Sequence, residues 1–274
     1  MSESNSRPVI SNQSGPHPDL AKTVRRHLES AFLKPIGAMN RDAYAMALNV
    51  WQSRCPDAPL ILDSGCGTGE STLHLAQRFP ESFVLGVDQS EHRLKSAMRR
   101  AIPGRGETAA NWIFIRADLV DFWRLLVADE IRLQRHFLLY PNPWPKSEHL
   151  KRRWHGHPVF PALLALGGIL ECRSNWRPYV EELADTLELA TDHRPTIERC
   201  FPENTAWTPF ERKYHASGHA LWRIQTSLPE TTFHARKIAP LPQAGVQDVP
   251  ALNSGRGEPF LAPLPLVGEG LGRG

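Results

Sequence analysis

The sequence predicts an α/β fold with a doubly wound, mostly parallel sheet of seven strands. Short apolar runs alternate with longer amphipathic segments between about residues 60 and 226, which is the pattern of βα units that build a parallel sheet. A glycine-rich turn follows the first apolar run. An acidic residue follows each of the first three apolar runs. With 274 residues, 41% of them hydrophobic, the chain can bury one substantial core.

Strands and helices alternate in this prediction. The apolar runs predicted as strands are Leu60–Leu62, Phe83–Val87, Trp112–Ile115, His136–Tyr140, Gly168–Cys172, Thr196–Cys200 and Ala220–Thr226. The amphipathic segments predicted as helices are Ser71–Phe79, Ser90–Ala101, Leu119–Val127, Pro158–Leu166 and Trp176–Ala190. Because each of the first strands is followed by a helix, the sequence predicts parallel pairing for most of the sheet.

The two ends of the chain differ in composition from its middle. Residues 1–18 are rich in Ser, Asn, Pro and Gly, and residues 229–274 are dominated by Pro, Gly and small residues. Such segments lack the apolar residues needed to offset the entropy of ordering, so both are predicted to be disordered tails. A single domain is expected over residues 19–228.

The composition of the chain bears on its cellular location and on whether it contains disulfides, a metal site or a membrane span. The four cysteines have no regular spacing, so neither a disulfide framework nor a metal site is predicted. The sequence shows no signal-like start and no run of the roughly 20 apolar residues that a membrane span requires. We therefore expect a cytoplasmic protein without membrane contact. The formal charge of +3 neither requires nor excludes nucleic acid, and the oligomeric state, monomer or homodimer, stays open.

The turn after the first strand is a candidate cofactor site. Glycines at positions 65, 67 and 69 allow the backbone to turn sharply and let a ligand approach closely. Asp63 precedes them, where a carboxylate would repel a phosphate but attract a cation, which favours S-adenosylmethionine over a pyrophosphate cofactor. Asp88 and Asp118 follow the next two strands at the same edge of the sheet. Asp88 is placed to accept hydrogen bonds from ribose hydroxyls, and Asp118 from an adenine amino group. The alternative is that the three aspartates are only turn and capping residues. The predicted cofactor-binding residues of this turn and these strand ends are Asp63, Gly65, Gly67, Gly69, Asp88 and Asp118.

A proline-rich loop follows the fourth predicted strand. Its sequence, Tyr-Pro-Asn-Pro-Trp-Pro-Lys over residues 140–146, excludes helix and ladder pairing and predicts a rigid loop at the carboxyl edge of the sheet. Asn142 between two prolines, beside the indole of Trp144, is suited to holding a nucleobase. The dense basic run after it predicts phosphate contacts, with a solvated helix face as the alternative. The basic residues are Lys146, Lys151, Arg152 and Arg153.

These motifs resemble those of the bacterial tRNA (guanine-N7-)-methyltransferases, whose central motif is Pro-Asx-Pro-Trp-x-Lys followed by a Lys-Arg-Arg run. Residues 174–179 are similar to the family's Thr-Asp-Trp-x-x-Tyr, and residues 208–212 and 218–222 resemble its Thr-x-Phe-Glu-x-Arg and Gly-His-x-x-Trp segments. The resemblance extends from about Leu60 to Gln225, with the motifs in matching order.

The resemblance implies a Rossmann-like methyltransferase that transfers a methyl group from S-adenosylmethionine to N7 of guanine at position 46 of the tRNA variable loop. It implies that Asn142, the predicted catalytic residue, lies between cofactor and guanine and contacts both. It also implies that Lys146, Asn175, Thr208 and Glu211 contact the substrate, in addition to the contacts that the loop and the basic run themselves predict for Trp144, Lys151, Arg152 and Arg153. Asn142 and Asn175 stand where the family usually has Asp, which affects hydrogen bonding to the guanine edge and the charge beside the methylated purine.

Two alternatives remain open at this point. Asn-Pro after a fourth strand also resembles the Asn-Pro-Pro-aromatic motif of amino-group methyltransferases, although Trp144 stands where that motif has its second proline. Such an enzyme would use the same cofactor on another base or an exocyclic amine. Alternatively, the two asparagines mark a catalytically weak relative that binds RNA in a salt-sensitive way.

Overall fold

The predicted alternation of strands and helices is present in the computed structural model, which describes residues 6–101, 110–202 and 206–229. Seven strands are β1 Leu60–Ser64, β2 Phe83–Asp88, β3 Trp112–Arg116, β4 Arg135–Leu139, β5 Gly168–Ser174, β6 Glu198–Cys200 and β7 Leu221–Leu228. The α-helices are α1 Leu20–Glu29, α2 Ala38–Arg54, α3 Glu70–Arg78, α4 Glu91–Ala101, α5 Leu119–Ala128, α6 Phe160–Leu166, α7 Arg177–Thr191 and α8 Pro209–Ala216. Two 3-10 helices, Ser147–Arg152 and Trp154–Gly156, lie between β4 and α6.

All seven strands form one sheet in the order β3-β2-β1-β4-β5-β7-β6. The pairs among β1 to β5 are parallel, and β7 runs antiparallel to both of its neighbours. The predicted fold class, a doubly wound and mostly parallel seven-stranded sheet, is confirmed. Parallel strands need crossover connections, and the helices between the first five strands supply them.

The sheet carries a hydrophobic core on each of its faces. Leu60 and Leu62 of β1 belong to one cluster of buried residues, whereas Ile61 between them belongs to another. Successive side chains of a strand point to opposite faces, so these two clusters lie on opposite sides of the sheet. This double burial explains why β1 and β2 read as unbroken apolar runs that end in an acidic or polar residue.

Three α-helices in the described part of the chain were not among the predicted elements. The helices α1 and α2 precede the first strand, and α8 lies between β6 and β7. Over its 17 residues α2 buries only Asn40, Tyr44 and Ala47, so it has little of the apolar periodicity that identifies a helix from sequence. The short α8 buries only Glu211, and its start is marked by the cap residue Thr208 instead.

The predicted domain limits remain a prediction. Residues 6–18 are without helix or strand, and hydrogen bonds join several of them to the body of the protein, as described below. Residues 1–5 of the predicted N-terminal tail and residues 230–274 of the predicted C-terminal tail lie outside the described residues. Within the described part of the chain, no helix is long and apolar enough to span a membrane.

Candidate active site

The candidate site lies where the order of the strands reverses. From β1 the chain proceeds outward to β2 and β3, and it then returns to place β4 on the opposite side of β1. The loops that follow β1 and β4 therefore diverge, which leaves a crevice at the carboxyl edge of the sheet where open α/β folds bind ligands. Asp63 pairs in register with Phe137 of β4, so the glycine turn and the proline loop both emerge at this crevice.

The glycine turn has a backbone that few other residues could adopt. Gly65, Gly67 and Gly69 all have positive φ angles, of 78°, 57° and 77°. A Cβ on Gly69 would lie 2.5 Å from the ring of Phe114, so glycine also permits close packing of the turn against the sheet. By contrast, nothing lies within 4 Å of a Cβ built on Gly65. The turn thus packs tightly at one end and leaves open space at the other.

Two buried carboxylates stand on the inner side of this turn. Asp88 accepts hydrogen bonds from the backbone N–H of Gly67 (3.0 Å) and of Ser90 (2.7 Å). Asp63 accepts from the hydroxyls of Ser71 (2.6 Å) and Thr72 (2.7 Å). Burial, only partly offset by those hydroxyls and reinforced by the nearby Asp88, raises the pKa of Asp63 to about 6.

The chemistry of this pair fits a cationic ligand. Among the described residues, no basic side chain forms an ion pair with Asp63, and the nearest approach to Asp88 is Arg93 at 3.9 Å. Two neighbouring carboxylates that share only this one long ion pair are stabilised by a further positive group that enters the crevice. The open space beside Gly65 leaves the backbone accessible to such a ligand. The residues therefore fit the sulfonium cofactor that the sequence predicts.

Asp118 lies at the same sheet edge but is already engaged. Its Oδ1 accepts from the backbone N–H of Val120 (2.9 Å) and so caps α5, while its Oδ2 pairs with Lys34 at 3.2 Å. The capping interaction is the alternative considered from the sequence, and it is present. A side-chain exposure of 37% leaves Asp118 accessible, so a cofactor contact stays a prediction.

The proline loop has a strained backbone. Tyr140 and Trp144 have positive φ angles of 54° and 46°, which for non-glycine residues cost on the order of 1–3 kcal/mol each. Asn142 is exposed between them, and its Oδ1 accepts from the backbone N–H of Trp144 at 3.2 Å. Because that contact requires an oxygen, the free end of the Asn142 side chain is its Nδ2 amino group. The loop therefore presents a hydrogen-bond donor at its exposed surface.

Three of the four basic residues after the loop are exposed, namely Lys146, Lys151 and Arg152. The guanidinium carbon of Arg152 lies 4.7 Å from the centre of the Trp144 indole, so it covers one face of that ring. An exposed cluster of this kind beside an aromatic ring suits the phosphates and bases of RNA. Contact of these side chains with substrate stays a prediction.

Arg153 occupies a different place from the one predicted. Its side chain is completely buried and forms an ion pair with the equally buried Glu182, with both Glu182 oxygens 2.6 Å from Nη1. Its Nε and Nη2 atoms donate to the backbone oxygen of Trp144 at 3.1 and 3.0 Å. The structure therefore gives Arg153 an internal role, supporting the loop, in place of the predicted phosphate contact.

The later motif residues form a second buried network. Thr208 caps α8 by accepting from the N–H of Glu211 (2.9 Å), and Glu211 is fully buried. The carboxylate of Glu211 accepts from Arg173 (2.7 Å) and from the hydroxyl of Tyr140 (3.1 Å), the first residue of the proline loop. Thr208 and Glu211 are thus engaged internally, and their predicted substrate contact is not supported by their burial. Asn175 is half-buried, 3.2 Å from Nδ1 of His219.

Sequence reasoning missed two charged residues that organise this region, Arg173 and Glu182. Arg173 directly follows the predicted strand Gly168–Cys172 and belongs to β5, and Glu182 lies on α7 between the buried Tyr179 and Leu183. A charge on the inward stripe of a helix is the signal that could have identified Glu182, because such a position requires a buried partner. The partner itself is not visible in sequence spacing.

Residues 57–224, more than half of the chain, match the family described as "Putative methyltransferase". A tRNA (guanine-N(7)-)-methyltransferase of Stutzerimonas stutzeri (strain A1501) is 31% identical over 176 residues, which cover 61% of this chain and 72% of that protein. A protein of the same name from Pseudomonas aeruginosa (strain UCBPP-PA14) is 30% identical over 61% of this chain and 70% of its own length.

Solved structures with a similar arrangement include an antibiotic-related methyltransferase, with 14% identity, a TM-score of 0.48 and coverage of 67% of this chain and 94% of that chain. The 16S rRNA methyltransferase KamB gives 17% identity and a TM-score of 0.47, covering 66% of this chain and 92% of its own.

Proposed function

The chain belongs to the methyltransferase family that includes the tRNA (guanine-N(7)-)-methyltransferases, and from that premise we propose that it transfers a methyl group from S-adenosylmethionine to N7 of a guanine in tRNA. The observation that carries the proposal is the meeting of the glycine turn, the Asp63–Asp88 pair and the proline loop at the reversal point of the sheet. We place the target at position 46 of the variable loop and the reaction in the cytoplasm, and we assign it to the domain over residues 19–228.

The residues of the crevice divide between the two reactants. Asp63 and Asp88 would hold the cationic and hydroxyl groups of the cofactor, with the turn at Gly65 giving it backbone access. When bound, S-adenosylmethionine supplies an electrophilic methyl group. Guanine N7 carries a lone pair and no proton, so the protein needs no general base and contributes mainly by alignment. Holding two reactants in line can contribute on the order of 7–11 kcal/mol to lowering a barrier.

The proline loop and the exposed basic residues would hold the acceptor. The exposed Nδ2 donor of Asn142 would meet a hydrogen-bond acceptor atom of the purine edge. Lys146, Lys151 and Arg152 are exposed directly after it and are suited to tRNA phosphates. The Trp144 indole offers a surface for stacking on a base. Together they would orient the guanine while contributing phosphate contacts that are independent of base identity.

The direct test is methylation of unmodified tRNA. Purified protein should transfer label from S-adenosylmethionine to tRNA, and nucleoside mass spectrometry of the digest should show 7-methylguanosine. A digest that contains a methylated exocyclic amine would instead assign the protein to the amino-group methyltransferases. Salt-sensitive tRNA binding without any methylated nucleoside would identify a binding protein without transfer activity. Boiled protein and tRNA that already carries the modification serve as controls.

The geometry of Asn142 favours the guanine N7 acceptor over an amino acceptor. An amino group as target must donate to the side-chain oxygen of the asparagine, and the Trp144 N–H already takes one of the two lone pairs of Asn142 Oδ1. The Nδ2 amino group of Asn142 is a donor, which suits acceptor atoms such as those of the purine edge. The residue after Pro143 is tryptophan and not proline, as noted from the sequence.

Binding of S-adenosylmethionine is expected to weaken as the pH falls through about 6. Burial raises the pKa of Asp63 to about 6, so at pH 5 only about a tenth of the protein carries the ionised carboxylate that attracts the cation. Calorimetric titrations at pH 5 and pH 7.5 should therefore differ about tenfold in Kd. The folding stability of the cofactor-free protein should change in the opposite direction and fall as the pH rises from the ordinary pKa of an aspartate to about 6. The reason is that ionising this buried carboxyl costs free energy in the folded state.

Asp63→Asn is the control for this pH dependence. The variant should bind the cofactor more weakly at neutral pH and with a Kd that no longer changes between pH 5 and pH 7.5. An equal pH dependence in both proteins would assign the titration to another group and contradict the role of Asp63.

A further inference from the structure

Residues 6–18, here called the N-terminal strap, run across the proline loop and α7. The hydroxyl of Ser11 donates to the backbone oxygen of Pro145 at 2.6 Å. Gln13 donates from Nε2 to Glu182 (2.5 Å) and accepts at Oε1 from Arg153 (3.0 Å). The backbone N–H of His17 also donates to Glu182, at 2.9 Å. Two side chains of the strap thus contact both the loop and the buried ion pair beneath it.

The Arg153–Glu182 ion pair also holds the proline loop, through the backbone oxygens of the loop. Arg153 donates to the backbone oxygen of Trp144 at 3.0 and 3.1 Å and to that of Lys146 at 3.2 Å. Glu182 fixes the guanidinium and also contacts His155 Nε2 at 2.7 Å. All three side chains, of Arg153, His155 and Glu182, are completely buried. The three side chains therefore form a hydrogen-bonded cluster that is closed to solvent and contains the Arg153–Glu182 ion pair.

Three consecutive backbone oxygens of the loop, those of Trp144, Pro145 and Lys146, are held by Arg153 and Ser11. The loop needs such external support because prolines 141, 143 and 145 lack N–H groups, so the loop has few bonds of its own to make. Strained φ angles of this kind persist only where the surroundings enforce them. At Trp144 the enforcing contacts come from Arg153 and, one residue on, from the strap.

We propose that Ser11 and Gln13 are positioning residues for methyl transfer, which act by holding the proline loop so that Asn142 stays aligned with the acceptor. This inference rests on the proposed function, since it assumes that the loop meets the substrate. The strap contacts the loop through Pro145, whereas Asp63 and Asp88, which the proposed function assigns to the cofactor, belong to other elements. Loss of the strap contacts should therefore change the rate of transfer and leave cofactor affinity unchanged.

The test compares two double variants of the same segment. Ser11→Ala/Gln13→Ala removes the contacts, whereas Asn12→Ala/Ser14→Ala changes two exposed strap residues for which the described residues offer no hydrogen-bond partner. We expect kcat for tRNA methylation to fall about tenfold in the first, because small displacements of reacting groups carry large rate penalties. The second should match the wild type, and the Kd for S-adenosylmethionine should be unchanged in both.

Ser11→Thr keeps the hydroxyl and should therefore restore most of the activity that Ser11→Ala loses. If the strap had a purely structural role, kcat would instead fall in every variant in proportion to the midpoint temperature of thermal unfolding. Hydrogen exchange followed by mass spectrometry reports on the loop without any need for activity. Exchange over residues 142–154 should be faster in Ser11→Ala/Gln13→Ala than in the wild type and in Asn12→Ala/Ser14→Ala. Unchanged exchange, or a kcat equal to that of the control variant, would overturn the proposal. A wild type that makes no 7-methylguanosine but shows this exchange pattern would refute the proposed function and leave the strap as the support of the loop.

Discussion

Replacing Glu182 with alanine is expected to destabilise the protein by about 3–5 kcal/mol, measured as the free energy of unfolding in urea. Glu182 is completely buried, and both of its oxygens face Arg153 at 2.6 Å. The alanine variant leaves the buried Arg153 guanidinium without its counter-charge. It also removes the acceptor of Gln13 and of His17 N–H, so the N-terminal strap loses its attachment to α7.

The matched control is the double variant Arg153→Met/Glu182→Leu. Because it removes both charges and fills the space with apolar atoms, it should recover most of the stability that Glu182→Ala loses. It should nevertheless methylate tRNA slowly, since the loop oxygens of Trp144 and Lys146 lose their donor. A cost below about 1 kcal/mol for Glu182→Ala would show that the pair is not held in this buried arrangement.

The contribution of Glu182 should also depend on pH in a defined direction. Burial alone would raise its pKa, but hydrogen bonds and charge from His155 and Arg153 outweigh burial and lower the pKa to about 2. A lowered pKa in the folded state gives stability that is complete above the ordinary glutamate pKa and is lost as the pH falls through about 2. The difference in stability between the wild type and Glu182→Ala should therefore be constant near neutral pH and shrink in acid.

The fold could be predicted from the sequence because its signals are local. A buried parallel strand reads as an apolar run, and the glycine turn with Asp63 and Asp88 marks the edge of the sheet where strands β1 and β2 end. The predicted strand β4 also placed the proline loop at that edge. These features depend on neighbouring residues in the chain, and the topology of a doubly wound sheet then brings them together.

What could not be predicted depends on contacts between distant residues. Arg153 was grouped with its exposed neighbours Lys151 and Arg152, since a basic run carries no information on which side chain turns inward. Its partner Glu182 is 29 residues away, and Gln13 is 140 residues away. The strap has a composition typical of disorder, and its bonds use isolated polar side chains and backbone groups, which produce no periodic pattern.

Asn142→Asp is expected to raise the rate of tRNA methylation on the order of 10- to 100-fold. The turn should survive, because one aspartate oxygen can still accept from Trp144 N–H, as Asn142 Oδ1 does at 3.2 Å. The second oxygen replaces the Nδ2 donor and brings a negative charge beside a purine that becomes positively charged on methylation. A charge placed in advance where the transition state develops the opposite charge lowers the barrier, whereas a neutral amide contributes less. Single-turnover rates with labelled S-adenosylmethionine and unmodified tRNA would measure the change.

Asn49→Asp is the control for this substitution, since Asn49 is exposed on α2 and belongs to none of the predicted site residues. It adds the same charge to the protein and should alter the rate much less, while Asn142→Ala should lower the rate by removing the polar group altogether. An increase confined to Asn142→Asp would show that the wild-type amide limits the reaction through charge. If Asn142→Asp instead transfers more slowly than the wild type, the Nδ2 donor is itself used in recognising the acceptor. The loop would then be tuned to hydrogen-bond an acceptor atom of the purine, and stabilisation of the developing positive charge would have to come from Asp63 and Asp88 across the crevice.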